Sequence, residues 1–319
     1  MKRFALAAAL LLAAAPVRAQ DTIAAPADTV RLRFGWQPGM TMRMEAEKLR
    51  TRESANGPTT VRMASTAWTS VAPHPRGLLV RTDSMRWDEL PDALGPVGEM
   101  LRSLGSSAAD PATIVTADGE FVGLNDPAAL RAEVERALEP MLAEFEAEVP
   151  GIRQMMQGMM SEEALATAAA DEWGAMVAFW ADADLELGTV YALDDTIQAP
   201  GLGVPIPMTL EFGAMERVPC TEEETQARCV RLELNSIPDQ EALLQAVAQL
   251  MGALGPEIQA EMEALKGQLS VETLTTLVTD PATLRPYSLE IVKQSTAEVE
   301  GEERVVQSDI ERTRFFYPR

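Results

Sequence analysis

Seven methionines draw attention by their spacing. Met155, Met156, Met159 and Met160 crowd into Gln-Met-Met-Gln-Gly-Met-Met, and Met40, Met42 and Met44 alternate along another segment. Thioethers grouped in this way fill irregular gaps in a core, or line adaptable apolar sites for ligands of varied shape. In an exported protein they can also hold Cu(I). The first four fall at a break between two helical patterns, where an apolar pocket can form. The sequence therefore nominates Met40, Met42, Met44, Met155, Met156, Met159 and Met160 as the lining of one apolar site, with no metal and no cofactor assigned.

Other chemistries find little support. His74 is the only histidine and lies between Pro73 and Pro75 in a turn. A Ser-His-Asp or Cys-His arrangement would have to use it, and a prolyl-flanked tip positions a base poorly. Zinc sites built from histidines fail on count. Carboxylates abound, and a hydrolase using a carboxylate pair is the alternative reading. Asp182, Asp184 and Glu186 alternate as calcium ligands can, as Asp194 and Asp195 adjoin, but the glycine spacing of an EF-hand loop is missing. Gly201-Leu202-Gly203 has no helix after it to make a dinucleotide site.

The two cysteines, Cys220 and Cys229, flank an acidic loop between two strand-like segments. Their spacing is too wide for a Cys-x-x-Cys redox motif. A disulfide clamping the base of a hairpin loop is expected.

The elements that would position these residues follow from periodicity. Val30, Leu32, Phe34 and Trp36 alternate, Pro38-Gly39 turns the chain, and a second strand starts at Met40. Strands at 61–71 and 78–87 complete a meander. A helical candidate near 97–104 and a hairpin around Asp118-Gly119 follow. Asp126, Ser161 and Asp239 read as helix caps, with Pro127 at a first helical position and Pro140 as a kink. A further helix is expected over 256–265. Strands are expected at 187–193, on both sides of the cysteine loop, and at 270–279, 287–298 and 304–317.

Runs of strands and helices in separate blocks indicate α+β. The expected architecture is long curved antiparallel sheets with helices packed on or plugging the concave face. Residues 29–319 form this domain, divisible into two similar lobes at 29–186 and 187–319.

Composition bounds the function. The 319 residues carry a formal net charge of −22, which opposes nucleic acid and anionic membranes. Residues 29–88 hold ten Lys/Arg against five Asp/Glu, and residues 120–188 three Arg against fifteen Asp/Glu. Either two solvated faces or basic strands meeting acidic helices would explain this. Lys2 and Arg3, an apolar run from Phe4 to Ala15 and the small residues Val17 and Ala19 read as a secretory signal peptide, residues 1–19, cut after Ala19. Gln20–Asp28 reads as a flexible entry. With no transmembrane anchor in the pattern, a periplasmic or extracellular address is expected.

Four segments carry a resemblance. They are Leu32-Arg33-Phe34-Gly35-Trp36-Gln37-Pro38-Gly39-Met40-Thr41-Met42; Thr113-Ile114-Val115-Thr116-Ala117-Asp118-Gly119-Glu120-Phe121-Val122-Gly123; Leu187-Gly188-Thr189-Val190-Tyr191; and Asp280-Pro281-Ala282-Thr283-Leu284-Arg285-Pro286. Together they resemble an uncharacterised family of secreted bacterial proteins, a domain of unknown function. The layout is also similar to the periplasmic lipoprotein-carrier half-barrels, in which a curved sheet and helices enclose an apolar groove. Neither resemblance brings catalytic residues. Taken with the residues above, the reading is a non-catalytic, exported binding protein whose partner is an apolar small molecule, a lipid or an envelope protein.

Overall fold

Antiparallel pairing dominates the chain. The structure is a computed structural model and describes residues 28–53, 57–91, 112–145, 160–198, 205–252, 269–299 and 302–318, with 98, 153 and 157 besides. The signal segment 1–19, nearly all of the entry 20–28, all but residue 98 of the helical candidate near 97–104, and the helix expected over 256–265 lie outside the described residues.

Strands β2 (Thr41–Arg52), β3 (Thr59–His74), β4 (Gly77–Glu89), β5 (Thr113–Val115) and β6 (Phe121–Leu124) form a meander. Strands β8 (Tyr191–Gln198), β9 (Pro205–Val218), β10 (Cys229–Pro238), β11 (Leu269–Asp280), β12 (Arg285–Val299) and β13 (Glu302–Phe316) form a second. Both belong to one sheet of 11 strands in the order β6-β5-β4-β3-β2-β13-β12-β11-β10-β9-β8. The first meander runs outward from β2, and the second starts at the far edge and returns to pair β13 with β2. Strand β1 (Thr29–Arg31) pairs with β7 (Asp184–Glu186) in a separate two-stranded ladder.

The strands form where alternation demands them. The strand expected at 187–193 starts later: β7 ends at Glu186, Gly188 adopts a φ of 79°, and β8 begins only at Tyr191. A left-handed glycine breaks the extended run that the side-chain pattern alone would continue.

Helices are few among the described residues: α1 (Pro127–Phe145), α2 (Glu162–Trp173) and α3 (Gln240–Gly252), with a π turn over Gly174–Ala178. The three expected caps hold. Asp126 Oδ1 accepts from Ala129 N at 2.9 Å, Ser161 Oγ from Ala164 N at 3.1 Å, and Asp239 Oδ1 from Ala242 N at 2.8 Å. Helix α1 runs on through Pro140. The fold is α+β with the sheet far outweighing the helices.

One face of the sheet bears the core. Register places Met42, Val71, Val80, Leu210, Leu232, Leu277 and Phe315 on this inner face, and all are buried in one cluster with Trp36, Trp173, Val177 and Trp180. The sheet must also curl. The β5–β6 and β11–β12 turns sit five strands apart, about 24 Å in a flat sheet. Yet Phe34 lies against Gly119 of the first, and Gly35 N donates to Thr283 O of the second at 3.1 Å. Two adjacent residues reach both turns only if the sheet bends around them, as sheets beyond about ten strands tend to do.

Candidate functional site

The bend is closed at one end by aromatic rings. Phe34 and Trp36 stack at 5.9 Å, and Trp173 meets them edge-on at 6.1 and 5.2 Å. Trp173 Nε1 donates to Gly119 O at 2.7 Å, and Trp36 Nε1 to Leu284 O at 3.2 Å. Each buried indole thereby satisfies its one donor. The lock ties the segment before β2, the β5–β6 turn, the end of α2 and the β11–β12 turn into one unit. A second aromatic group, Phe179, Trp180, Phe212 and Tyr191, extends it toward β8.

Away from the lock the inner face changes character along each strand. On β2 the inward positions run Met42, Met44, Ala46, Lys48, Arg50. On β13 they run Phe315, Thr313, Glu311, Asp309. Lys48 Nζ lies 3.3 Å from Glu311, and Arg50 Nε 2.6 Å from Asp309. Burial alone would raise the Asp309 carboxyl, but hydrogen bonds from Arg50 and Gln307 outweigh it and hold it below its ordinary value. Lys48 and Arg50 thus pair with acidic residues of another strand rather than of a helix. The face is apolar near the lock and ionic beyond Ala46.

Glu172, at the end of α2, faces this ionic band. Burial raises its carboxyl pKa, and the charge of Glu311 raises it further. Glu172 is nevertheless exposed to solvent. A carboxyl with a raised folded pKa binds its proton more tightly in the folded state, so stability falls as pH rises from the ordinary carboxylate range. Glu172→Gln should therefore raise the melting temperature at pH 7 to 8, with the gap to wild type closing in acid. A melting series across pH checks this, and equal melting temperatures at every pH would place Glu172 in open solvent.

The nominated methionines separate. Met42 is 3% exposed within the main cluster, and Met40 and Met44 pack against it half-buried. Met160 is buried in a different, small cluster with Leu138 and Leu142. Met155, Met156 and Met159 lie outside the described residues. Sequence reasoning missed a second group on the inner face. On edge strand β8, Leu193 and Ile197 pair with Leu210 and Ile206. The partners are buried, at 6% and 1%, whereas Leu193 is 44% and Ile197 38% exposed. The alternation of Tyr191, Leu193, Asp195 and Ile197 was the available signal.

The remaining candidates resolve simply. Cys220 and Cys229 form the disulfide, with Cα atoms 5.1 Å apart, across the end of the β9–β10 hairpin. Asp182 and Asp184 face Arg33, which lies 3.9 and 2.9 Å from them, so a guanidinium takes the place a cation would need. His74 ends β3, its Nδ1 accepting from Arg76 N at 3.2 Å. Among the described residues no three His, Cys, Asp or Glu side chains gather as a metal set, and no helix is long and apolar enough to cross a membrane.

No protein-family model matches the chain, and no curated protein matches it. Among solved structures, it is similar to lipovitellin, in a structure titled for its lipid–protein interactions, at 8% identity and a TM-score of 0.41. The match covers 89% of this chain and spans 26% of that one.

Proposed function

We propose that the chain is an exported, non-catalytic binding protein that takes an apolar ligand on the inner face of its sheet. The observation that carries this reading is the pair Leu193 and Ile197. They share the face of the core and sit beside buried partners, yet remain over a third exposed. Accessible apolar surface continuous with a core is where a ligand gains most from leaving water. Met40 and Met44 pack half-buried against the same core, six strands away from β8. A disulfide suits an oxidising compartment, in keeping with the signal peptide expected at 1–19.

The test is binding of a fluorescent fatty acid. Burial of one leucine side chain is worth roughly 1.5–3 kcal/mol. Leu193→Asp with Ile197→Asp should weaken the probe at least tenfold, while the melting temperature moves little because both side chains are already exposed. Unchanged affinity, or a wild-type protein that binds no probe, defeats the reading.

One observation favours the alternative, a hydrolase using paired carboxylates. Glu172 is held toward its protonated form, and Glu311 sits beside Lys48. A carboxyl held protonated near a second, ion-paired carboxylate is the kind of pair such a hydrolase needs. Hydrolysis of a chromogenic glycoside by wild type, lost in Glu172→Gln, would establish that reading over the first.

A further inference from the structure

The outer face of the sheet carries a second, independent feature. Trp68 on β3, Arg43 on β2 and Phe316 on β13 stand directly opposite one another in a single cross-strand row. Trp68 is 37% and Phe316 38% exposed. The Arg43 guanidinium lies 4.4 Å from the centre of the Phe316 ring. These side chains wall a groove of about 490 Å³ that Thr41, Met42, Thr69, Asp83, Tyr317 and Pro318 also line. A bulge builds its polar wall. Trp68 pairs with Ser84 and Thr69 with Thr82, which leaves Asp83 as the extra residue of β4. Bulges re-aim a side chain in this way. A hydrogen bond from Ser70 holds the Asp83 carboxyl below its ordinary value, and Arg81 adds to it against burial.

The arginines of the cross-strand row and of neighbouring β4 are compensated. Arg43 pairs with Glu45 at 2.7 Å, Arg81 with Asp83 at 2.6 Å and Arg86 with Asp88 at 2.9 Å. An ionic ligand would have to displace one of these partners. A neutral ligand need not, and it finds two partly exposed aromatic rings, each with one guanidinium over it (Arg43 on Phe316, Arg86 5.5 Å from the centre of Trp68), beside fixed donors and acceptors. We propose that this groove binds a neutral oligosaccharide. The C–H face of a pyranose ring can lie against Trp68 or Phe316, as apolar groups do on aromatic rings. Its adjacent hydroxyls both donate and accept, matching the acceptor-only carboxylate of Asp83 and the donor-only guanidinium of Arg43. The volume falls within the range of small-ligand sites.

The experiment titrates the intact protein with maltotetraose, cellotetraose and tetra-N-acetylchitotetraose, read by tryptophan fluorescence and by saturation-transfer NMR. At least one should bind, and Trp68→Ala should weaken it tenfold or more. Trp68 lies on the face opposite the core, so this variant should melt close to wild type and bind the fatty-acid probe unchanged. Should Trp68→Ala fail to fold, Asp83→Asn replaces the acceptor without removing bulk and should weaken the same saccharide. Binding of no saccharide overturns the proposal, as does saccharide binding indifferent to both substitutions. Concentration-dependent self-association that Trp68→Ala abolishes, without saccharide binding, overturns it too and makes the row an interface between copies.

Discussion

Trp173→Ala should be the most damaging single substitution in the inner core, costing about 3–5 kcal/mol of stability. For a chain of this size that is a fall in melting temperature on the order of 10 °C. The side chain is only 4% exposed, so its loss leaves a cavity rather than a gap that water can fill. It also removes the only indole contact to Gly119 O among those described, at 2.7 Å, leaving a buried acceptor with one partner fewer. The effect should exceed the local loss, because Trp36 and Phe34 both rest against this ring. Trp173→Phe separates the parts: it keeps most of the packing and deletes the hydrogen bond, and should fall between wild type and alanine. Thermal melts by circular dichroism check the series. A cost below about 1 kcal/mol for Trp173→Ala, the size of an ordinary surface change, would mean that the ring does not hold the sheet's bend.

The lock explains why part of this fold was legible in the sequence. The four segments that carry the family resemblance lie in or beside it: Phe34 and Trp36 from the first, Gly119 from the second, Leu187 bridging Ala214 from the third, Thr283 and Leu284 from the fourth. Turns and strand starts leave short-range marks, and so do the caps at Asp126, Ser161 and Asp239. What joins them leaves none. The pairing of β2 with β13 links residues more than 250 positions apart, as Arg50 and Asp309 do. Nothing local announces it. For the same reason the alternation of Met40, Met42 and Met44 looked like the start of an apolar wall. The same face continues into Lys48 and Arg50, whose partners Glu311 and Asp309 come from a strand that only the register identifies. The methionines likewise share a type without sharing a place, since Met42 and Met160 belong to separate buried clusters. Leu193 and Ile197 were visible as alternation, but their exposure depends on β8 being the sheet's edge, which is a property of the strand order alone.

Gly119→Ala tests the bend from its other side. Asp118-Gly119 reads as a hairpin turn, and Gly119 does adopt a φ of 88°. A turn glycine in open space incurs on substitution only the steric strain of a Cβ in left-handed backbone, about 1–2 kcal/mol. Gly39 is such a case, with a φ of 87° and nothing within 4 Å of where an alanine methyl would stand. At Gly119 the methyl would stand 2.7 Å from Cγ and 2.9 Å from Cδ2 of Phe34. Phe34 cannot swing away, because Trp36 and Trp173 hold it on two sides. Overpacking of this kind adds about 1–3 kcal/mol, so Gly119→Ala should cost clearly more than Gly39→Ala. The excess should vanish when Phe34 is first cut back to alanine, leaving the backbone strain alone. That cycle gives an interaction energy of about 1–3 kcal/mol between positions that are far apart in sequence and adjacent only in the bent sheet. Denaturant unfolding of the four proteins, with Gly39→Ala as reference, supplies the numbers. If Gly119→Ala costs no more than Gly39→Ala, Phe34 does not sit on the β5–β6 turn. The contact that forces the sheet to curl, and with it the inner face offered to a ligand, then loses its support.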